Sequence, residues 1–196
     1  YRTASGAPGH RYWQQKVDYR IQARLDEAAK TVTGKATITY RNNSPDRLPY
    51  LWLLLDQNIF RRDSIAERTQ TVGSASEISL PSLRRIQKFK EWEGGFKLTS
   101  VKDGSGRTIP HTVVDTLMRL DLPQSLPSGA STTFTIEWSY ALVENKVVGS
   151  RDGYECFTKA GEDGNCLFLG AQWFPRLARY SHYERWDNKD VLGAGE

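Results

Sequence analysis

The residues that could do chemistry are scattered rather than grouped. The three histidines, His10, His111 and His182, stand alone, and none has a second ligand at a spacing that would place two imidazoles on one metal. Zinc-dependent hydrolysis needs two such imidazoles, a third ligand and a carboxylate to activate the bound water. The helical signature His-Glu-x-x-His is absent. There is no Gly-x-Ser-x-Gly nucleophile turn and no glycine-rich phosphate loop. Asp103-Gly104-Ser105-Gly106 lacks the spaced carboxylates of a calcium loop and reads as a tight turn. The two cysteines say more. Cys156 and Cys166 lie symmetrically about Gly161, as opposed residues of a hairpin would, and opposed Cα atoms of an antiparallel pair come within disulfide range. A disulfide fits an oxidising compartment and two buried thiols fit a reducing one.

Binding surfaces are the other source of function. Arg61-Arg62, Arg84, Arg85, Lys88 and Lys90 crowd the middle of the chain with Phe89 and Trp92 among them, a mixture that could track a nucleic-acid backbone and stack bases. Glu67, Glu77, Glu91 and Glu93 dilute the patch, which favours solvated charges beside one or two core aromatics. Trp52, Trp92, Trp138, Trp173 and Trp186 could stack sugars if exposed. Trp138 and Trp52 sit in apolar patterns, so the core is the stronger reading for those two.

These residues must be positioned by strands. Val17, Tyr19, Ile21, Ala23 and Leu25 alternate with Asp18, Arg20, Gln22, Arg24 and Asp26, the period of a strand with one buried and one wet face. Ala36, Ile38 and Tyr40 repeat the pattern up to Asn42-Asn43-Ser44-Pro45-Asp46, a run of turn residues. Tyr50 to Leu55 is apolar on both faces and belongs in an interior. Periodicity is poor from Asp56 to Gly95: Ser64 could cap a short helix, and Ser74 to Leu83 reads as loop. Strands resume at Phe96 to Lys102, Thr108 to Val114 and Thr116 to Leu122, with the Asp103–Gly106 turn behind the first of them. Phe134, Ile136, Trp138, Tyr140 and Leu142 mark another half-buried strand. A last pair, near Tyr154 to Thr158 and Cys166 to Phe168, flanks Gly161. Short strands separated by turn signals indicate an all-β sandwich.

Composition agrees. With 196 residues, 38% hydrophobic and 26% charged, and a net charge of +4, the chain suits one soluble domain, a loose arm at residues 1–10 followed by a single β-sandwich at residues 11–196. The longest apolar run, Leu48 to Leu55, falls far short of the ~20 residues that span a bilayer. No signal peptide is present, and a first residue of Tyr rather than Met points to removal of a leader or a trimmed end.

Tyr12-Trp13-Gln14-Gln15, Val17-Asp18-Tyr19, Asn42-Asn43-Ser44-Pro45-Asp46 and Asn58-Ile59-Phe60 resemble the amino-terminal domain of bacterial aminopeptidase-N-like zinc metallopeptidases (gluzincins). The likeness returns in Gly170-Ala171-Gln172-Trp173-Phe174-Pro175-Arg176 and Trp186-Asp187-Asn188-Lys189. It brackets nearly the whole chain and is weakest from about Arg61 to Glu93. The resemblance implies a twisted, saddle-shaped antiparallel β domain that covers the active site, with the catalytic zinc domain following residue 196. The family's Gly-x-Met-Glu-Asn substrate motif is missing, and Met118 is the only methionine. This chain alone is therefore expected to be inactive and to carry no cofactor, the zinc belonging to the catalytic domain.

The family's domain also supplies a Gln or Glu that hydrogen-bonds the substrate α-ammonium. Gln172 is the candidate here; an alignment fixed on Trp173-Phe174-Pro175 moves the acceptor upstream, to Glu162. Gln172 as an ordinary backbone-bonded strand residue is an equal reading. Trp173, Phe174, Arg176 and Tyr180 combine apolar area with charge, as an interface toward the catalytic domain would. The partners expected are that domain of the same polypeptide and its peptide substrate, with no nucleic acid and no membrane span. If Cys156 and Cys166 are bonded, the protein matured in a periplasm or outside a cell. The alternative function is a free-standing carbohydrate- or protein-binding β-sandwich.

Overall fold

A computed structural model describes residues 1–69, 78–149, 151–157 and 164–191. The strands among the described residues are β1 (Lys16–Asp26), β2 (Thr31–Arg41), β3 (Leu48–Leu54), β4 (Lys97–Asp103), β5 (His111–Val114), β6 (Leu117–Leu126), β7 (Ser131–Ala141), β8 (Gly153–Phe157), β9 (Asn165–Leu169), β10 (Arg176–Leu177), β11 (Tyr180–Ser181) and β12 (Arg185–Trp186). Among the described residues three α-helices interrupt them: α1 (Ile65–Arg68), α2 (Leu80–Glu91) and α3 (Asn145–Val148). Two antiparallel sheets, ordered β1-β2-β7-β4 and β10-β3-β6-β5, form the layers. Two-stranded pairs β8-β9 and β11-β12 are added to them.

The core lies between the layers. Ala36, Ile38 and Tyr40 of β2 and Phe134, Ile136, Trp138 and Tyr140 of β7 alternate inward from one sheet. Leu51 and Leu53 of β3 with Met118 and Leu120 of β6 come from the other. Outward positions carry polar pairs such as Lys35 and Glu137, register partners joined at 2.8 Å. The Asn42–Asp46 turn works through Asn42, which is fully buried. Its amide donates to the carbonyls of Asp46 (2.7 Å) and Leu126 (3.1 Å), and its Oδ1 accepts from Ser44 and Gln15. One side chain thus ties the end of β2 to the facing sheet.

Two expectations change. In β1 only Val17 and Ile21 pack against the buried core; Leu25 is exposed, and Tyr19, 36% exposed, lies outside that core. β1 is an edge strand, paired with β2 alone. Residues 74–77 of the expected Ser74–Leu83 loop lie outside the described residues. Its end is helical, because Ser79 accepts a hydrogen bond from Ser82 N and so caps α2, with Pro81 in the first turn.

Candidate functional site

Behind β3 the chain makes a 3-10 turn, Asp56–Phe60, in which Asp56, Gln57 and Asn58 are all buried. Buried polar side chains must be hydrogen-bonded, and each of these three holds a different piece of chain. The Asp56 carboxylate receives a two-pronged Arg176 guanidinium, both bonds 2.9 Å. Gln57 Nε2 donates to the Ala171 carbonyl at 2.9 Å. Asn58 donates to Asp115 O (2.8 Å) and accepts from Phe96 N (2.9 Å). Two of the three grip the segment from Gly170 to Arg176.

That segment is clamped again from the core. Trp138 Nε1 donates to Trp173 O at 3.2 Å, and the two indoles lie 6.4 Å apart. Phe174 meets the Tyr19 ring edge-on at 5.5 Å, and Leu177 N donates to the Tyr19 hydroxyl at 2.8 Å. Between these clamps Gln172 is half-buried with φ 46°. The left-handed region is costly for a residue with a Cβ and persists only where its surroundings over-determine it. Gln57 on one side and Trp138 on the other supply that constraint.

Below the segment lies a polar cluster. Tyr140 Oη is beside Gly170, and Asp152, only 5% exposed, is close enough to Tyr140 to act on its ionisation. Burial pushes the Asp152 carboxyl above the ordinary carboxylate range, opposed by hydrogen bonds from Gln57 and Gly153 N. Burial likewise raises the Tyr140 phenol. Asp152 Oδ1 and Tyr140 Oη have no hydrogen-bond partner among the described residues.

The disulfide is present: Cys156 and Cys166 are register partners of β8 and β9 with Cα atoms 4.0 Å apart. On the same side of this hairpin Tyr154 and Phe168 hold Lys30 Nζ, 4.9 Å from each ring centroid. Phe157 and Leu167 stand exposed on its other side. Glu162 lies outside the described residues. Of the four candidate interface residues, Trp173, Phe174 and Arg176 are half-buried, and Tyr180 is 8% exposed. The Tyr180 ring packs between Trp13 and Trp186, and its hydroxyl donates to Asp46 Oδ2 at 2.8 Å. Most of Tyr180 therefore belongs to the domain's own packing, leaving little of it for a partner to meet.

Residues 1–10 fold back in a turn closed by a bridge between Arg2 and Pro8, with Tyr1 stacked on His182. They help to form a cleft of about 460 Å³ lined by Tyr12, Trp13, Tyr180, His182 and Tyr183. His111 is in β5, its Nδ1 2.9 Å from Ile109 O. Among the described residues no cluster of three or more His, Cys, Asp or Glu could hold a metal ion. The sequence reading missed Asp56, Gln57, Asn58 and Asp152. The signal for the first three was available in three consecutive polar residues directly after a strand apolar on both faces.

No protein-family model matches the chain, and no curated protein matches its sequence. Solved structures do. An M1 zinc metallopeptidase from Deinococcus radiodurans aligns with 70% of this chain and 22% of its own length, at 11% identity and a TM-score of 0.41. A two-domain M1 zinc metallopeptidase mutant bound to L-arginine aligns with 72% of this chain and 24% of its own length, at 11% identity and a TM-score of 0.42. A Deinococcus radiodurans mutant carrying a Tyr-Ser-Ala substrate gives 70%, 22%, 11% and 0.41. The chain thus spans less than a quarter of the matched chains' length, and at this level the likeness assigns no activity to it.

Proposed function

We propose that this chain is the non-catalytic amino-terminal domain of a zinc aminopeptidase, covering the active site of a catalytic domain in the same polypeptide and helping to hold the free amino end of a peptide. The observation that carries the reading is the mounting of Gln172. The residue sits in a left-handed kink, gripped through Gln57 and Trp138, within the segment that resembles the amine-binding part of such domains. A buried ammonium costs several kcal/mol unless acceptors meet it. Gln172 would supply such an acceptor. Zinc and the activated water belong to the catalytic domain, and no step of hydrolysis falls to the residues described. The surface toward that domain is drawn around Trp173 and Phe174, with exposed Phe157 and Leu167 beside the disulfide. The disulfide supports maturation in a periplasm or outside the cell.

The test is the complete reading frame. It should continue into a His-Glu-x-x-His domain, and the full-length protein should bind zinc and release amines from aminoacyl p-nitroanilides. Gln172→Ala should raise KM for a free-amine substrate roughly 10- to 100-fold, the worth of a hydrogen bond to a charged group, with little change in kcat. Protection of residues 170–183 against hydrogen exchange should be greater in the full-length protein than in this chain. A stop codon after Glu196, or a KM indifferent to Gln172→Ala, overturns the reading. The stop codon would instead favour a free-standing carbohydrate- or protein-binding module, for which the aromatic cleft around Trp13 and Tyr183 is the binding site to test.

A further inference from the structure

Helix α2 meets the body of the domain through Arg85, Lys88 and Phe89. Lys88 pairs with Glu144 at 2.9 Å, the Arg85 guanidinium reaches toward Gly149, and Phe89 meets Trp92 edge-on. These residues mark the side that faces the body. At about 100° per residue, Leu80, Leu83 and Ile86 lie on the side away from it. They are 70%, 48% and 39% exposed, and Ile78 just ahead of the helix is 57% exposed. None of the helix's residues is buried. A helix of this length is marginal in water without tertiary packing, and four bare aliphatic side chains together are a surface awaiting a cover.

Charge and spacing identify the cover. α2 carries Arg84, Arg85, Lys88 and Lys90 against a single acidic residue, Glu91. A second copy packed helix on helix would set like charges against each other. A protein groove takes anchors at i, i+3 or i+4, and i+7, but positions 84 and 87 are Arg and Gln. The apolar residues recur at intervals of three, so their stripe winds across about 120° of the helix surface from Leu80 to Ile86. A rigid groove does not follow such a stripe, whereas a fluid interface does. We propose that α2 is a membrane-docking element that lays Leu80, Leu83 and Ile86 on an anionic lipid surface, with Arg84 and Lys90 at the headgroups. Aliphatic burial at the acyl boundary and basic contact with anionic lipid act together in such helices. No helix among the described residues is long and apolar enough to cross a membrane, so the contact is with the surface. The inference is independent of the proposed peptidase role.

The test is co-sedimentation of this chain with vesicles of pure phosphatidylcholine and of equal parts phosphatidylcholine and phosphatidylglycerol. The mixed vesicles should pellet the protein and the neutral ones should not. Salt near 1 M, where the Debye length is about 3 Å, should release it. Leu83→Glu and the pair Arg84→Glu with Lys90→Glu should each lower partitioning at least tenfold. These residues are exposed, so circular dichroism should show unchanged folding. Mixed vesicles that leave the protein in solution, or that pellet Leu83→Glu equally well, overturn the proposal. So does a lipid-free dimer, seen by sedimentation velocity, that Leu83→Glu dissolves, since the face would then belong to a second copy.

Discussion

Gly34→Ala is the sharpest probe of how the core supports the candidate site. Gly34 in β2 is the register partner of Trp138 in β7, and a Cβ built on it would run into the Trp138 indole, with Cε2 at 2.5 Å. Trp138 is 2% exposed, packs edge-on against Phe96 and donates to Trp173 O. The indole cannot yield without disturbing that bond. Overpacking of this kind costs about 1–3 kcal/mol, and loss of the hydrogen bond adds about 0.5–1.5 kcal/mol. Against this, alanine loses less chain entropy than glycine on folding, a gain of about 0.4–1 kcal/mol. The net loss is about 1–3 kcal/mol, or roughly 3–10 °C in Tm for a domain of this size. Urea and thermal melts of wild type, Gly34→Ala, Trp138→Phe and the double variant form a cycle. The smaller ring leaves room for the methyl group, so the double variant should be more stable than the sum of the two single losses by about 1 kcal/mol or more. Gly104→Ala is the control, because its Cβ would meet only Thr133 O at 3.6 Å. A Gly34→Ala melt indistinguishable from wild type, or an additive cycle, would refute the link between strand β2 and the Gly170–Arg176 segment.

Replacing both Cys156 and Cys166 by Ser should cost about 2–3 kcal/mol, the worth of closing so short a loop, and reduction of the wild type should lower the melting temperature to match. Arg176→Met should cost about 3 kcal/mol by leaving the buried Asp56 carboxylate without its partner, and Asp56→Asn in the same chain should recover much of it in urea melts. Two carboxyls should pull the pH dependence of stability in opposite directions. The Asp103 pKa is lowered by the Ser105 hydroxyl and the Arg107 contacts, so its stabilisation is present above the ordinary value near 3.9 and is lost as pH falls through the lowered one; Asp103→Asn should flatten that acid limb. The Asp152 pKa is raised by burial, so ionisation costs stability as pH rises past the ordinary value; Asp152→Asn should gain stability near pH 7 and nothing near pH 3, read from urea melts at the two pH values.

The strands were legible where one face of a layer is buried and the other wet, because burial then writes a two-residue period directly into residue type. β2 and β7 show this in full: every second residue from Ala36 to Tyr40 and from Phe134 to Tyr140 is buried. The Asp103–Gly106 turn and the opposed cysteines were readable for a related reason, since local geometry alone decides them. β1 was readable as a strand but not as an edge. Its alternation is as regular as that of β2, yet whether a facing sheet covers Tyr19 and Leu25 depends on residues far away in sequence. α2 hid because it buries nothing, so its apolar spacing of three matches neither the half-buried helix nor the strand template.

The candidate site was half legible for a physical reason of the same kind. Gln172 could be singled out only through the segment's resemblance, because a left-handed kink at a glutamine has no sequence mark. What makes the kink stable lies elsewhere in the chain. Gln57 reaches Ala171 across 114 residues, Arg176 reaches Asp56 across 120, and Trp138 reaches Trp173 across 35. Buried polar residues are worth retaining only where each finds its partner, so the run Asp56-Gln57-Asn58 implies three partners without naming them. The two-residue strands β10, β11 and β12 are too short to carry a period, and which of their aromatics turn inward is decided by what they meet. Tyr180 meets Trp13, Trp186 and Asp46, and so becomes core. Gln172 meets a clamp on either side, which leaves the kink between them as the feature that the surrounding structure over-determines.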